Sequence, residues 1–325
     1  MMQSIRKVLR LAALGAAAFL LATPAVHAQT VKLRVSTIPI IDTAPMQAAI
    51  AKGFFSEQGL EVDTTPTAGG AAGLPALAAG QVQVTFSNII SIVLGAKQGL
   101  GFEVIAAGSG TSGTTPDLAA MVAKPGSAFK TGKDLEGKRI AVNTRNNIIW
   151  LYARAWVQAT GGDPDKVTYL EVPFPQMTDA LRGDRVDAAF VVEPFLSGGV
   201  SSGAAQVIGW PYNAVQKNIP VGMYAMTSSY MKANPGVAER FTRGYNKGVD
   251  WINQNKGSEE WLKIISGYTR MQPDQLKGLN LPLFEKTVDP ARVDLVVELM
   301  RKHKMIEGAF DSKALFYTTA TQVPK

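Results

Sequence analysis

Two segments of the chain share one pattern, and this recurrence limits the folds open to the sequence more than any other feature. Residues 76–86 (ALAAGQVQVTF) and 180–190 (ALRGDRVDAAF) align without gaps and lie 104 residues apart. Each pattern indicates a short helix that leads into a strand ending in phenylalanine. Helix and strand patterns also alternate along most of the chain. The sequence therefore predicts an α/β fold built from two similar lobes.

The order of these patterns divides the chain into lobes. Residues 29–116 and 223–325 are predicted to form the first lobe and residues 117–222 the second, so the chain crosses between lobes twice. From Ser228 onward the pattern is helical: the segment after Pro290, for example, places four apolar residues on one helix face. We expect this tail, without strands of its own, to pack on the first lobe.

The N-terminus has the composition of a secretory signal. Residues 1–28 combine an early basic segment, an apolar core over residues 11–22 and the cleavage-site pattern Val-His-Ala at 26–28. The apolar core is too short to anchor the chain in a bilayer, which takes about 20 apolar residues. The sequence predicts an exported, freely diffusing protein without a lipid anchor, because it has no cysteine to carry one.

Two absences weigh against catalysis. The chain has no cysteine, which excludes disulfides, thiol catalysis and cysteine-ligated metals, and cleavage after residue 28 would leave His303 as the one histidine. We therefore expect a binding protein rather than an enzyme, without metal or cofactor. A nucleic-acid partner is not expected either, because the basic cluster at residues 301–304 indicates an exposed helix end.

The candidate site is a cleft between the lobes. In α/β sheets ligands bind beyond the carboxyl ends of the strands. Helices that begin there direct unpaired backbone N–H groups into the cleft, which favours an anion. The residues selected at predicted strand ends are Ile41, Asp42, Thr43, Ser87, Asn88, Gly108, Ser109, Asn143, Thr144, Arg145, Asn146, Glu193 and Phe195.

Two longer motifs resemble a known family. Residues 48–63 (AAIAKGFFSEQGLEVD) and 77–88 (LAAGQVQVTFSN) resemble the periplasmic substrate-binding proteins of ABC importers for nitrate, sulfonates and taurine, a group that also includes binders of aromatic carboxylates and thiamin-precursor pyrimidines. The resemblance covers essentially the whole chain after residue 28. It implies a type II-like two-lobed binding protein, expected to be a monomer, which closes over a small anion and delivers it to a membrane permease.

The roles of the candidate residues stay open at this point. Arg145 either clamps a sulfonate or carboxylate, or points away from the cleft. Asn143 and Thr144 either contact the ligand or cap the helix that follows. Asp42 would repel an anion unless it caps the helix near Pro45 or faces solvent.

Further alternatives concern Glu193, the aromatic residues and the function. Glu193 either pairs with an arginine or receives a ligand amine. Trp210, Tyr212 and Phe195 form either a wall for a ring-bearing ligand or part of the core. Binding of a thiamin-precursor pyrimidine, or presentation of a ligand to a sensory receptor, are the alternatives to delivery of an anion to a permease.

Overall fold

The computed structural model describes residues 30–321, so the predicted signal segment 1–28 lies outside the described residues. Eleven strands among residues 30–321 form two sheets. They are β1 (Val31–Thr37), β2 (Leu60–Pro66), β3 (Val84–Asn88), β4 (Phe102–Gly110), β5 (Ala119–Ala123), β6 (Arg139–Val142), β7 (Thr168–Glu171), β8 (Ala188–Val192), β9 (Gln206–Gly209), β10 (Pro220–Thr227) and β11 (Leu283–Phe284).

Eleven α-helices surround these sheets within the same residues. They are α1 (Ala44–Ala51), α2 (Gly70–Ala78), α3 (Ile89–Lys97), α4 (Ile148–Ala159), α5 (Phe174–Arg182), α6 (Phe195–Ser201), α7 (Pro211–Val215), α8 (Ser228–Ala233), α9 (Val237–Gln254), α10 (Glu259–Thr269) and α11 (Pro290–Lys302). None of the helices found there is long and apolar enough to cross a membrane.

The two sheets have corresponding strand orders. The first runs β11-β4-β10-β3-β1-β2 and the second β9-β5-β8-β6-β7. In each, a central strand (β1 or β6) is parallel to both neighbours. In each sheet, the next strand (β10 beside β3, or β5 beside β8) runs antiparallel to its neighbour. We call the first sheet with its helices the first lobe and the second the second lobe. The predicted two-lobed α/β fold is thereby confirmed.

The recurring segments take equivalent places in these sheets. Residues 76–86 contain the last three residues of α2 and the first three of β3. Residues 180–190 contain the last three residues of α5 and the first three of β8. Both β3 and β8 are entirely buried. The composition of β8 is apolar, as a buried strand favours, whereas β3 also buries the polar residues Thr85, Ser87 and Asn88. The strand predicted before Asn143 is β6, over Arg139–Val142.

The chain passes between the sheets in residues 111–118 and 210–219. The predicted division ended the second lobe at residue 222, whereas β10 of the first sheet already begins at Pro220. In the tail, α9 packs on α1 so closely that a side chain at Gly248 would lie 2.1 Å from the Pro45 carbonyl oxygen. The expectation of a tail without strands is wrong, because β11 pairs with β4.

Candidate ligand-binding site

A cavity lies between the two lobes, at the carboxyl ends of the central strands. It is small, with a cavity volume of about 30 Å³. Both lobes contribute to its wall. The residues that line it are Ile38, Ile40, Asp42, Gly70, Phe86, Asn88, Asn143, Asn147, Ile148, Ile149, Phe174, Val192, Tyr212, Val221 and Gly222.

Four helices begin at this cavity. Gly70 and Phe174 are the first residues of α2 and α5, and Asn88 and Asn147 are the N-caps of α3 and α4. Each of these helices has nine residues or more. Because the first N–H groups of a helix lack intrahelical acceptors, four positive helix ends face one cavity. The site therefore offers backbone hydrogen-bond donors and a positive potential without a basic side chain in its wall.

Asparagine side chains hold these helix ends in place. Asn88 Oδ1 accepts from Ser91 N at 3.0 Å in its own lobe and from Ile148 N at 3.2 Å in the other. Asn147 Oδ1 accepts from Trp150 N, and its amide donates to Asn143 Oδ1 at 2.8 Å. Asn88 thus caps one helix and joins the two lobes.

Among residues 30–321, Asp42 is the one carboxylate that lines the cavity. Asp42 is almost fully buried, with 1% of its surface exposed. The carboxylate accepts a short hydrogen bond from the Ser109 hydroxyl at Oδ1, while Oδ2 has no hydrogen-bond partner. Burial raises the pKa of Asp42 to about 6, although the Ser109 hydrogen bond lowers it and nearby Asp117 raises it further. The site thus combines donors at the helix ends with one strong, unpaired acceptor.

The capping role considered for Asp42 is wrong. Residues Ile41–Thr43 form a single 3₁₀ turn, and the N-cap of α1 is Thr43. The Thr43 hydroxyl donates to the carbonyls of Ile38 and Ile40, both at 3.0 Å. This turn directs the Asp42 carboxylate inward to Ser109 instead of toward the helix.

Aromatic rings form the remaining wall. Tyr212 is fully buried and packs edge-on against Tyr152 and Phe190, with ring centroids 5.1 and 5.2 Å away. Its hydroxyl has no hydrogen-bond partner. Phe86 lies against Gly222, where a side chain would come within 2.3 Å of the ring. Residue 212 therefore serves the core and the cavity wall at once, the two roles left open by the sequence.

Of the predicted segment after β6, the structure places Asn143 in the cavity wall and the next three residues outside it. The Arg145 guanidinium donates to the Tyr169 carbonyl oxygen at 2.7 Å, and Arg145 and Asn146 line an outer groove beside α2 and α3. Thr144 accepts from the Asn147 amide. The helix cap considered at Asn143 or Thr144 is wrong, because the cap is Asn147.

The other predicted residues surround Asp42 or lie further away. Ile41, Thr43, Ser87, Gly108 and Ser109 are buried beside the cavity without lining it. Among them, the Ser87 hydroxyl has no hydrogen-bond partner.

Glu193 also lies outside the cavity wall. It is fully buried and accepts from Asn280 N and Nδ2 and from Ser197 N and Oγ, so the arginine partner considered for it is wrong. Phe195 lines a neighbouring apolar pocket that shares Ile38, Ile40 and Phe174 with the cavity.

Several lining residues escaped the sequence analysis, but signals for some were present. Gly70 and Phe174 begin the helices after β2 and β7, whose ends were not among the selected strand ends. Asn147 closes the polar run after β6 and has the side chain of a helix cap. The apolar residues Ile38, Ile40, Val192 and Val221 carry no signal in the sequence that distinguishes them from residues of the core.

Metal binding finds no support in residues 30–321, where no group of three or more histidine, cysteine, aspartate or glutamate residues could hold an ion. His303 is half-buried at the end of α11, where burial lowers its pKa. It does not line the cavity.

Comparison with known proteins identifies a family and relatives that match most of the chain. The family model described as NMT1/THI5-like matches residues 40–257. The nitrate/nitrite-binding protein NrtA of Nostoc sp. is 24% identical over 258 residues, which cover 73% of this chain and 58% of that protein. The bicarbonate-binding protein CmpA of Synechococcus elongatus is 23% identical over 74% of this chain and 57% of its own length. The chain thus spans somewhat more than half the length of these curated relatives.

A solved structure is similar over nearly the full length. The alkanesulfonate-binding protein SsuA of Xanthomonas axonopodis, bound to MOPS, superposes with a TM-score of 0.75, at 14% identity and with coverage of 89% of this chain and 99% of that one. At this identity the likeness establishes the periplasmic-binding-protein fold alone.

Proposed function

Because the chain belongs to the NMT1/THI5-like family, we propose that it is the periplasmic solute-binding component of an ABC importer and captures a small organic anion, a sulfonate or carboxylate, between its lobes. The relatives named above are binding proteins for nitrate or nitrite, bicarbonate and alkanesulfonates, rather than enzymes. Their ligands share negative charge and small size, which is the class proposed here.

The convergence of four helix N-termini on one cavity carries this proposal. Each helix end presents backbone N–H groups and a partial positive charge, and anions bind such ends. No lysine, arginine or histidine is among the described residues that line the cavity. An anion held by neutral donors leaves more easily than one paired with a buried cation, as delivery to a permease requires.

Lobe closure couples binding to delivery. Asn88 of the first lobe accepts from Ile148 N of the second, and the Ile41 N–H donates to the Glu193 carbonyl oxygen at 3.1 Å. A ligand that contacts both lobes binds this arrangement better than a more open one and so shifts the population toward it. The permease, or in the alternative a sensory receptor, would recognise that arrangement.

A second candidate is a neutral, amino-bearing ring such as a thiamin-precursor pyrimidine. The unpaired Asp42 oxygen and the rings of Phe86, Phe174 and Tyr212 favour it. Asp42 would accept from the ring amino group, and the aromatic wall would contact the ring face. This candidate requires no negative charge on the ligand.

A thermal-unfolding panel separates the two candidates. The purified protein is heated with alkyl- and arylsulfonates, mono- and dicarboxylates, nitrate, bicarbonate and aminopyrimidines, with chloride at equal ionic strength as control. A ligand at a thousand times its Kd stabilises by about 4 kcal/mol, which raises Tm on the order of 10 °C for a protein of this size. If only neutral compounds raise Tm, the anion proposal fails and the pyrimidine candidate stands.

A further inference from the structure

Tyr212 has a fully buried hydroxyl without a hydrogen-bond partner, in the wall of the interlobe cavity. Among residues 30–321, three buried tyrosines have such an unpaired hydroxyl, namely Tyr169, Tyr212 and Tyr224. Of these three, only Tyr212 lines the cavity. A buried hydroxyl without a hydrogen bond costs stability. A phenylalanine would pack in the same place without that cost, so the hydroxyl at position 212 needs an explanation.

The Tyr212 hydroxyl lies close to the groups that form the cavity, and it can donate. Burial raises the pKa of Tyr212 well above its usual value, and the Asp42 carboxylate, which lines the same cavity, raises it further. Such an electrostatic effect requires the two groups to be near each other. The hydroxyl stays protonated, yet it donates neither to Asp42 nor to any other group among the described residues.

The surroundings of Tyr212 hold its ring in place. The ring packs edge-on against Tyr152 and Phe190, with centroids 5.1 and 5.2 Å away. Tyr212 belongs to α7, in the second segment that passes between the lobes, and the next residue, Asn213, donates to Asp117 Oδ2 at 2.7 Å in the first such segment. A donor that is already fixed loses little conformational freedom on binding. The hydroxyl is thus preorganised for an acceptor.

The cavity favours an anionic acceptor for this hydroxyl. Its volume of about 30 Å³ is small, so an acidic group bound there lies close to every side of the wall. A charged oxygen accepts a hydrogen bond more strongly than a neutral one does. The backbone N–H groups of the helix ends and the Tyr212 hydroxyl can donate to different oxygens of the same acidic group.

We propose that Tyr212 is a ligand-binding residue whose hydroxyl donates a hydrogen bond to the acidic group of the bound anion. This inference rests on the proposed function and adds a side-chain donor, from the segment that joins the lobes, to the backbone donors of the same site. The hydroxyl costs stability in the absence of the anion and gains its partner when the anion binds.

Tyr212→Phe tests this role because it removes the hydroxyl and keeps the ring. Isothermal titration calorimetry at pH 7.5 measures the Kd of the sulfonates, carboxylates, nitrate and bicarbonate of the thermal panel, among which methanesulfonate and acetate are the smallest organic probes. We expect the Kd of the tightest-binding anion to rise about tenfold to a hundredfold, as the loss of one hydrogen bond to a charged group predicts. The urea midpoint of the variant without added anion should stay the same or rise, because no protein group loses a partner.

Tyr224→Phe is the matched control. Tyr224 is fully buried and its hydroxyl has no partner, but it does not line the cavity. This substitution should also leave the urea midpoint the same or higher. It should change the Kd of the same anion by less than threefold, because its hydroxyl does not reach the site.

The outcomes separate this inference from the proposed function. A Kd for Tyr212→Phe that rises less than fivefold, or an equal rise in Tyr224→Phe, overturns the role of the Tyr212 hydroxyl while the proposed function stands. A fall in the urea midpoint of Tyr212→Phe also overturns it, since the hydroxyl would then have a structural partner. If no anion of the panel binds the wild type, the proposed function is overturned, and this inference with it.

Discussion

The two lobes place different chemistry on the same scaffold. The pairing of β1 with β3 sets Val35 opposite Val84, and the pairing of β6 with β8 sets Ile140 opposite Ala188. The strand ends that follow are therefore equivalent. After β1 the first lobe provides Asp42, a buried acceptor, whereas after β6 the second lobe provides the amides of Asn143 and Asn147. Strand topology fixes where the cavity lies, while the loop residues decide what each lobe contributes to its wall.

The strand ends after β3 and β8 differ in the same way. In the first lobe Asn88 lines the cavity, caps α3 and bonds to the second lobe. In the second lobe the equivalent position is Val192, which contributes only an apolar surface. The next residue, Glu193, bonds to Asn280 of the C-terminal tail. One strand end faces the cavity, and the other bonds to the C-terminal tail across the lobes.

Glu193→Ala tests that fastening role and should have the largest effect. Removal of the carboxylate leaves the donors of Asn280 and Ser197 without their acceptor in a partly buried environment. Each unsatisfied group costs about 1–3 kcal/mol of stability. We expect the free energy of unfolding in urea to fall by about 2–4 kcal/mol. Glu61→Ala removes an exposed ion pair with Lys32 and should change it by less than about 0.5 kcal/mol. Equal stability of the two variants would contradict the fastening role.

Gly69→Ala tests the contact between the lobes. A side chain at Gly69 would lie 2.7 Å from Asn143 Nδ2 in the other lobe, and φ of −175° permits alanine. We expect the ligand Kd to weaken about tenfold, or 1.4 kcal/mol, with Tm of the ligand-free protein nearly unchanged. Gly70→Ala is the matched control, since its side chain would meet the Ser87 backbone within the same lobe and should lower Tm. A normal Kd for Gly69→Ala would show that binding does not need this approach of the lobes.

Much of the fold could be predicted from the sequence, because its signals are local. The helix-to-strand units before Phe86 and Phe190, the alternation of elements and the strand ends all follow from apolar patterning over a few residues. The lobes' similarity followed from one recurring segment. The short strand β11 carried no such signal, because two residues next to a proline do not establish a period.

The site was only partly predictable, because side-chain direction depends on backbone turns. Arg145 and Asn147 are two residues apart in one polar run, yet one lies in the outer groove and the other in the cavity. Between them, Asn146 has a φ of 54°, which places its backbone in the left-handed region. The sequence alone does not predict this conformation. For Asp42, the sequence left a cap of α1 and a solvent-facing position open. The structure instead has a 3₁₀ turn over Ile41–Thr43 and a hydrogen bond from Ser109 to the Asp42 carboxylate, and a contact between residues 67 positions apart has no local sequence signal.

The pH dependence of stability tests whether Asp42, the carboxylate that the first lobe contributes to the cavity, titrates in the folded protein. The pKa of Asp42 is raised from 3.8 to about 6, so the folded state binds a proton more tightly than the unfolded state does. That stabilisation is present at low pH and is lost as pH rises through 6. Asparagine does not titrate, so Asp42→Asn removes this loss of stability. Between pH 5 and 7.5 the wild type should lose about 1 kcal/mol more stability than Asp42→Asn, as measured by urea unfolding at each pH. Parallel pH curves for the two proteins would show that Asp42 does not titrate in this range.

Arg145→Ala should have the smallest effect, although Arg145 is the most conspicuous side chain after β6. Its guanidinium bonds to the Tyr169 carbonyl oxygen in its own lobe, and its backbone N–H donates to Glu171 at 2.7 Å. We expect the Kd of the best anion to change by less than threefold and Tm by a few degrees at most, in line with one lost hydrogen bond. Asn147→Ala, two residues further on, removes the α4 cap at the cavity and should weaken the same anion by more than tenfold. A larger loss of affinity for Arg145→Ala than for Asn147→Ala would mean that the second lobe binds its ligand through a cation after all, and not through the neutral donors at its helix N-termini.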